Sequence, residues 1–274
     1  MTSPQPNGSS LPSPAGVEAG WVNLEAPGAH PLRCWWAQPS HGVPRAAVLV
    51  LPEVFGVNGW VRSVAERLVA EGYAALAMPI FARTAPDFET GYDEAGLALG
   101  REHRDAVTAE GLLADAGRAI AWLQVQPGLE GQAVGCVGFC FGGHLALIAA
   151  TLPAVAATCD FYGARVSNFR PGGGSPTLEL LPQVQGHLLC FCGDQDPLMP
   201  PDELAAIESA IAASQQPGRE RRMVMAPGAG HGFMCEARVD FHPEAARQGW
   251  AEMLALFAKG LGAGNTPAAQ ISPA

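Results

Sequence analysis

Lysine is almost missing from this chain: Lys259 stands alone, and the other 15 of its 16 basic residues are arginine. We read that as a compositional habit of the source and attach no function to it. Against 26 acidic residues, the formal net charge is −10 and the pI about 5.1. There is no basic stripe, so neither nucleic acid nor a membrane surface is an expected partner. No apolar run approaches the ~18 residues that a membrane span needs. No basic segment leads into an apolar one near residue 1. A soluble cytoplasmic protein is the expectation. The seven cysteines (Cys34, Cys136, Cys140, Cys159, Cys190, Cys192 and Cys235) are odd in number, and most lie inside apolar runs. That fits a reducing compartment better than a disulfide framework. Cys190 and Cys192 alternate in one such run without a partner cluster, so we read them as core residues; no metal and no organic cofactor is expected.

What is present is apolar bulk. The chain has 274 residues, 48% of them hydrophobic, enough for one large core. Residues 1–18 and 262–274, rich in Ser, Pro, Gly, Asn and Ala, are expected to be an N-terminal arm and a C-terminal tail around a single domain at 19–261. Trp21–Glu25 and Leu32–Gln38 flank a Pro-Gly turn and predict a hairpin. Ala46–Leu51 is a continuous apolar run, as in a strand covered on both faces. Val61, Val64, Ala65, Leu68 and Val69 follow helical spacing up to Gly72. Tyr73–Ala77, Val134–Phe139, Ala156–Tyr162, His187–Cys192 and Arg222–Met225 read as further strands. Helical patterns lie around Leu112–Leu123, after Gly142, around Leu204–Ile211 and around Ala246–Phe257. Residues 82–104 and 165–186 read as irregular, the first as a cap or loop over the sheet. Strands alternating with helices imply crossovers and a doubly wound, mostly parallel α/β sheet with helices on both faces.

One stretch stands out. Val134-Gly-Cys-Val-Gly138-Phe139-Cys140-Phe141-Gly142-Gly143-His144 is a β-prone run that meets a glycine turn and continues into an apolar helix. This is the G-x-nucleophile-x-G elbow, with Cys at the centre where Ser is usual. Bulky side chains two positions either side would collide, and the following helix N-terminus favours a thiolate. A buried structural Cys beside glycines is the alternative. Reactive groups of parallel sheets gather at strand carboxyl ends. Two later strand ends offer partners: Gly193-Asp194-Gln195-Asp196, and Gly230-His231-Gly232. Nucleophile, acid and His then follow in the order of the α/β-hydrolase fold. A neutral thiol needs a base, a role that suits His231, with Asp196 or Asp194 behind it. Glu53 follows the first buried strand and points to the same cleft. The N–H groups of Val54 and Phe141 are candidates for an oxyanion hole. His144 reads as packed or pocket-lining, and Trp35, Trp36 and Trp60 as core or rim aromatics, with Trp60 a candidate border of the cleft.

At these residues the chain resembles the dienelactone hydrolase family. The matching motifs are Glu53-Val54-Phe55-Gly56-Val57-Asn58, Gly72-Tyr73-Ala74-Ala75 with Phe81-Ala82-Arg83, Gly138-Phe139-Cys140-Phe141-Gly142-Gly143, Gly193-Asp194-Gln195-Asp196 with Pro200, and Gly230-His231-Gly232-Phe233. They spread over about residues 20–260. The resemblance implies a cysteine hydrolase of a small-molecule carboxylic ester or lactone, acting through an acyl-enzyme. Its triad would be Cys140, His231 and Asp196, the last favoured over Asp194 by its spacing from Pro200. Glu53 would meet the resting thiol and help to ionise it. The family's Arg four residues after the catalytic His is replaced here by Cys235. Arg238, Arg101 and Arg104 are candidates to bind a substrate carboxylate, and Met78-Pro79 departs from the usual Pro-Asp. Arg83 is expected to be structural. The rival class is a non-catalytic ligand-binding or redox-sensing protein on the same fold, since an activated thiol also oxidises. A serine hydrolase is disfavoured, because no Ser occupies a matching elbow.

Overall fold

The computed structural model describes residues 16–26 and 28–262. The chain opens with a hairpin, β1 (Val17–Leu24) and β2 (Leu32–Pro39), in which Trp21 lies opposite Trp35, their rings edge to face at 5.3 Å. Then come β3 (Ala47–Leu51), α1 (Gly59–Ala70), β4 (Ala74–Ala77), α2 (Glu94–Arg104), α3 (Ala109–Leu123), β5 (Val134–Phe139) and α4 (Phe141–Ala149). The chain closes with β6 (Val155–Phe161), β7 (His187–Gly193), α5 (Pro201–Ala213), β8 (Arg221–Ala226) and α6 (Pro243–Gly260). The strands form one sheet in the order β1-β2-β4-β3-β5-β6-β7-β8. β2 runs antiparallel to both neighbours, and β4, β3 and β5 to β8 run parallel. No helix among the described residues is long and apolar enough to cross a membrane.

Every residue of β3 is buried, because both faces of the sheet are covered. Val48 and Val50 join a core with α1 and α6, while Ala47, Leu49 and Leu51 join one with α3 and α4. The doubly wound expectation is met. Cys190 and Cys192 are buried in β7, as expected of core thiols.

Three expectations change. The expected arm at 1–18 overlaps β1, which begins at Val17; residues 1–15, and the tail from residue 263 on, lie outside the described residues. The stretch 165–186 contains a 3-10 helix, Thr177–Gln183. The third concerns residues 82–104, which end in a regular helix, α2. Asp93 caps it, its Oδ1 accepting from the Gly96 N–H at 2.7 Å. Gly96 and Gly100 lower the helix propensity and hide this element from a sequence reading. Gly100 has a tertiary reason: a Cβ there would lie 2.1 Å from the Val54 carbonyl oxygen. The helix is thereby packed onto the loop that follows β3.

Asp160, at the carboxyl end of β6, lies under the turn between β5 and α4. Its Oδ1 accepts from the Gly163 N–H at 2.8 Å and sits 2.3 Å from where a Cβ on Gly143 would be. Burial pushes its carboxyl up to about 7, against the opposing pull of hydrogen bonds from Gly163 and Cys190. A carboxyl raised by folding stabilises the fold while protonated, and that contribution is lost as pH rises through about 7. Between about pH 5 and pH 8.5 the wild type should therefore lose roughly 2–3 kcal/mol relative to Asp160→Asn, which keeps the acceptor oxygen but cannot ionise. Urea unfolding of both proteins at the two pH values checks this; parallel pH profiles would refute it.

Candidate active site

The turn from β5 into α4 holds Cys140 at φ 56° and ψ −122°, a conformation that L-residues rarely adopt. The surroundings enforce it. The Cys140 N–H donates to the Phe161 carbonyl at 3.0 Å. A Cβ on Gly138 would lie 1.9 Å from the Gly142 oxygen, and one on Gly142 would lie 2.3 Å from the Pro52 oxygen. Both glycines are thus required by close backbone approach. The result is a half-buried Cys140 at the head of α4, where N–H groups lack intrahelical acceptors.

The loop after β8 brings His231 to the same place. Its Nδ1 donates to Asp196 Oδ2 at 2.8 Å, and Asp196 Oδ1 accepts from the Leu198 N–H at 2.8 Å. Asp194 is turned elsewhere, accepting from the Gly228 N–H at 2.7 Å. Of the two candidate carboxylates, Asp196 is the one that reaches the imidazole. His231 Nε2 is buried and has no hydrogen-bond partner among the described residues. Burial pulls the His231 pKa down, but the fields of Cys140 and Asp196 outweigh it and hold the imidazole up to about 10.

Glu53 is 1% exposed. Its Oε1 accepts from Arg238 Nη1 at 2.8 Å, and its Oε2 is buried without a partner. Burial raises its pKa, and Arg238 and then His231 oppose the rise. The expected contact with the thiol is not the one the structure displays: Glu53 is paired with Arg238. Gly232 makes that pairing possible. It has φ 90°, and a Cβ there would lie 2.5 Å from Arg238 Cζ, so the guanidinium folds back across the residue after His231.

Cys140 and His231 open on a cleft of about 480 Å³. Val54, Phe141, Arg101, Arg104 and Arg238 line it, with Phe55, Leu97, Phe169 and Leu198 as apolar wall. Phe141 is the first residue of α4, and no hydrogen bond among the described residues takes up the Val54 N–H.

Residues 32–261 match the profile of the Dienelactone hydrolase family. The chain belongs to the dienelactone hydrolase family. A Synechocystis protein carrying the name carboxymethylenebutenolidase is 38% identical over 210 residues, covering 77% of this chain and 84% of that one. A Bradyrhizobium protein named as a 2-oxo-3-(5-oxofuran-2-ylidene)propanoate lactonase is 28% identical, over 85% of this chain and 91% of its own. Among solved structures, a Klebsiella pneumoniae protein named as a dienelactone hydrolase superposes with a TM-score of 0.78 at 26% identity, covering 88% of this chain and 98% of that one. The sheet is accordingly that of the α/β-hydrolase fold.

Within this family frame, most candidate residues converge and one does not. Cys140, Asp196, His231, Glu53, Val54, Phe141 and the three arginines all meet at or beside the cleft. Trp60 does not line it. Its Nε1 donates to Glu236 Oε2 at 2.6 Å, and its ring packs on Phe139 at 4.8 Å. The indole is held by the α1 side of the sheet, so Trp60 is removed from the candidate substrate contacts. His144 does line the cleft, but both ring nitrogens are engaged, Nδ1 with the Ala164 oxygen at 2.9 Å and Nε2 with Thr177 Oγ1 at 2.7 Å. Burial pushes its pKa down to about 4. A carbonyl only accepts, so Nδ1 carries the proton and Nε2 accepts from Thr177. Arg83 forms a two-pronged pair with Asp115 at 2.9 Å, away from the cleft.

Sequence reading missed Arg165 and Tyr162, which sit on the strand-end loop after β6. Arg165 lines the cleft, and the fully buried Tyr162 packs its ring edge on His231 at 5.2 Å. The available signal was position alone, a carboxyl end of a central parallel strand.

The elbow glycines give a direct test. Gly138→Ala drives a Cβ into the Gly142 backbone, which cannot move without displacing Cys140. We expect a loss of about 3 kcal/mol or more in unfolding free energy, together with loss of activity, measured by thermal and urea unfolding. A variant with wild-type stability and activity would contradict the geometry.

Proposed function

We propose that this protein hydrolyses a carboxylate-bearing ester or lactone through an acyl-enzyme on Cys140. Membership of the dienelactone hydrolase family supports ester or lactone hydrolysis in general. The observation that carries the finer reading is His231, anchored by Asp196 at 2.8 Å on one nitrogen and unpartnered on the other, in the cleft that holds Cys140.

In the proposed reaction, the Cys140 thiol passes its proton to His231 Nε2 and the sulfur attacks the carbonyl carbon. The oxyanion develops toward the N–H groups of Val54 and Phe141, where the head of α4 favours negative charge. Collapse breaks the carbon–oxygen bond, and His231 gives its proton to the departing alkoxide. His231 then takes a proton from water as that water attacks the thioester, and the sulfur leaves and is reprotonated. Asp196 keeps the imidazole in the tautomer with Nδ1–H throughout. The substrate carboxylate is received by Arg238, with Arg101 and Arg104 of α2 opposite. Binding there competes with the Arg238–Glu53 pair. Once that pair is loosened, the Glu53 carboxylate, whose pKa burial raises, is free to accept a hydrogen bond from the thiol and assist the transfer to His231. The elements from β1 to α6 form the single catalytic domain in this reading, and the seven free thiols support a place in the cytoplasm.

Turnover of 4-nitrophenyl acetate and of dienelactone, read with intact-protein mass spectrometry, tests the proposal. Cys140→Ala and His231→Ala should each lower kcat by about 10³-fold or more, and the wild type should carry a transient acyl mass on Cys140. Arg238→Met should raise KM for carboxylate-bearing esters by roughly tenfold while sparing acetate esters. A Cys140→Ala enzyme at wild-type rate would remove Cys140 as nucleophile. A wild type inert toward a broad ester and lactone panel, with Cys140 only reversibly oxidised, would replace hydrolysis with redox sensing.

A further inference from the structure

The cleft concentrates positive charge in a chain whose net charge is −10. Four arginines line it, Arg101, Arg104, Arg165 and Arg238, against one acidic lining residue, Asp240. Their counter-charges are unequal. Arg238 has Glu53 at 2.8 Å and Asp240 at 3.6 Å, and Arg104 has Asp105 at 2.7 Å. Arg101 and Arg165 form no ion pair among the described residues, and the Arg165 guanidinium lies over the Phe169 ring at 4.6 Å.

The loop that presents Arg165 is built to do so. Tyr162 and Arg165 both have positive φ, 45° and 66°, a double cost for non-glycine residues in one turn. Two anchors hold it. Ala164 accepts from His144 Nδ1 at 2.9 Å, and the Ser167 N–H and hydroxyl both donate to the buried Glu203. The guanidinium is exposed, lies over Phe169, has no ion pair among the described residues, and lines the same cleft as Cys140. It also occupies a different wall from Arg238. Arg238 lies beside Glu53 and over the Phe55 ring at 5.8 Å, whereas Arg165 belongs with His144 and Phe169, one turn of α4 beyond Cys140.

We propose that Arg165 forms a second anion subsite, so that the preferred substrate is an ester or lactone carrying two carboxylates, one received at Arg238 and the other at Arg165. The naming of that dianion as a substrate rests on the hydrolase reading above; the subsite itself does not. A planar guanidinium held by an aromatic face takes a carboxylate in two parallel hydrogen bonds. A cleft of about 480 Å³ accommodates a small dicarboxylate together with its leaving group.

Binding and turnover test the two parts separately. In Cys140→Ala, glutarate should bind at least about tenfold tighter than butyrate, by calorimetry or thermal shift. That advantage should vanish in Cys140→Ala/Arg165→Met and be partly restored in Cys140→Ala/Arg165→Lys. Arg219→Met, which removes an exposed charge outside the cleft, should leave it unchanged in the same background. In the wild type, the 4-nitrophenyl monoester of tricarballylate should have a KM at least about tenfold below that of 4-nitrophenyl succinate, and Arg165→Met should erase the difference. A glutarate advantage that survives Arg165→Met, or falls equally with Arg219→Met, overturns the subsite. If glutarate binding depends on Arg165 while no ester is hydrolysed, the subsite stands and the hydrolase reading falls.

Discussion

The backbone at Cys140 is held in a conformation it would not choose. At φ 56° and ψ −122°, it depends on three close approaches: Gly138 against Gly142, Gly142 against Pro52, and the Cys140 N–H against the Phe161 carbonyl. Those contacts join the ends of β3, β5 and β6 to the head of α4. Strain of this kind persists only where the surroundings over-determine it. The parallel core supplies that constraint, since β3 and β5 are buried along their whole lengths. Stability of the sheet and placement of the sulfur are therefore one problem, and Asp160 beneath the turn couples that problem to pH.

Around the fixed sulfur, charge is arranged in buried pairs. Asp196 holds one side of His231, and Arg238 holds one oxygen of Glu53. Each pair leaves a buried polar atom open, His231 Nε2 and Glu53 Oε2. Buried polar atoms without partners are costly and uncommon, and these two belong to residues at or beside the cleft that Cys140 lines. The cleft rim adds guanidinium groups from α2, from the loop after β6 and from the loop after β8. Three separate segments supply the charge.

The relation between Cys235 and Arg238 shows the same freedom. Where relatives are expected to carry an Arg, this chain has a buried Cys. Arg238 reaches Glu53 because Gly232 has no side chain in its path. The guanidinium comes from further along the loop, and the glycine after the histidine makes room for it.

Much of this was written in the sequence. The period of the apolar runs determined the α/β layering, since a strand buried on both faces must be apolar throughout and a surface helix must not. The glycine spacing determined the elbow, and the chain order of Cys140, Asp196 and His231 determined which strand ends to inspect. What the sequence left open was everything set by contacts between distant segments. It left Asp194 and Asp196 as rivals, and geometry turned only Asp196 toward His231. It hid α2, because Gly100 serves a contact with Val54 that local propensity does not register. It placed Trp60 at the cleft and overlooked Arg165, since the side of the sheet a residue faces depends on how loops fold back. Local pattern is carried by neighbours in the chain; the positions of unpaired charges are decided by packing between elements far apart in it, and only the tertiary structure records that.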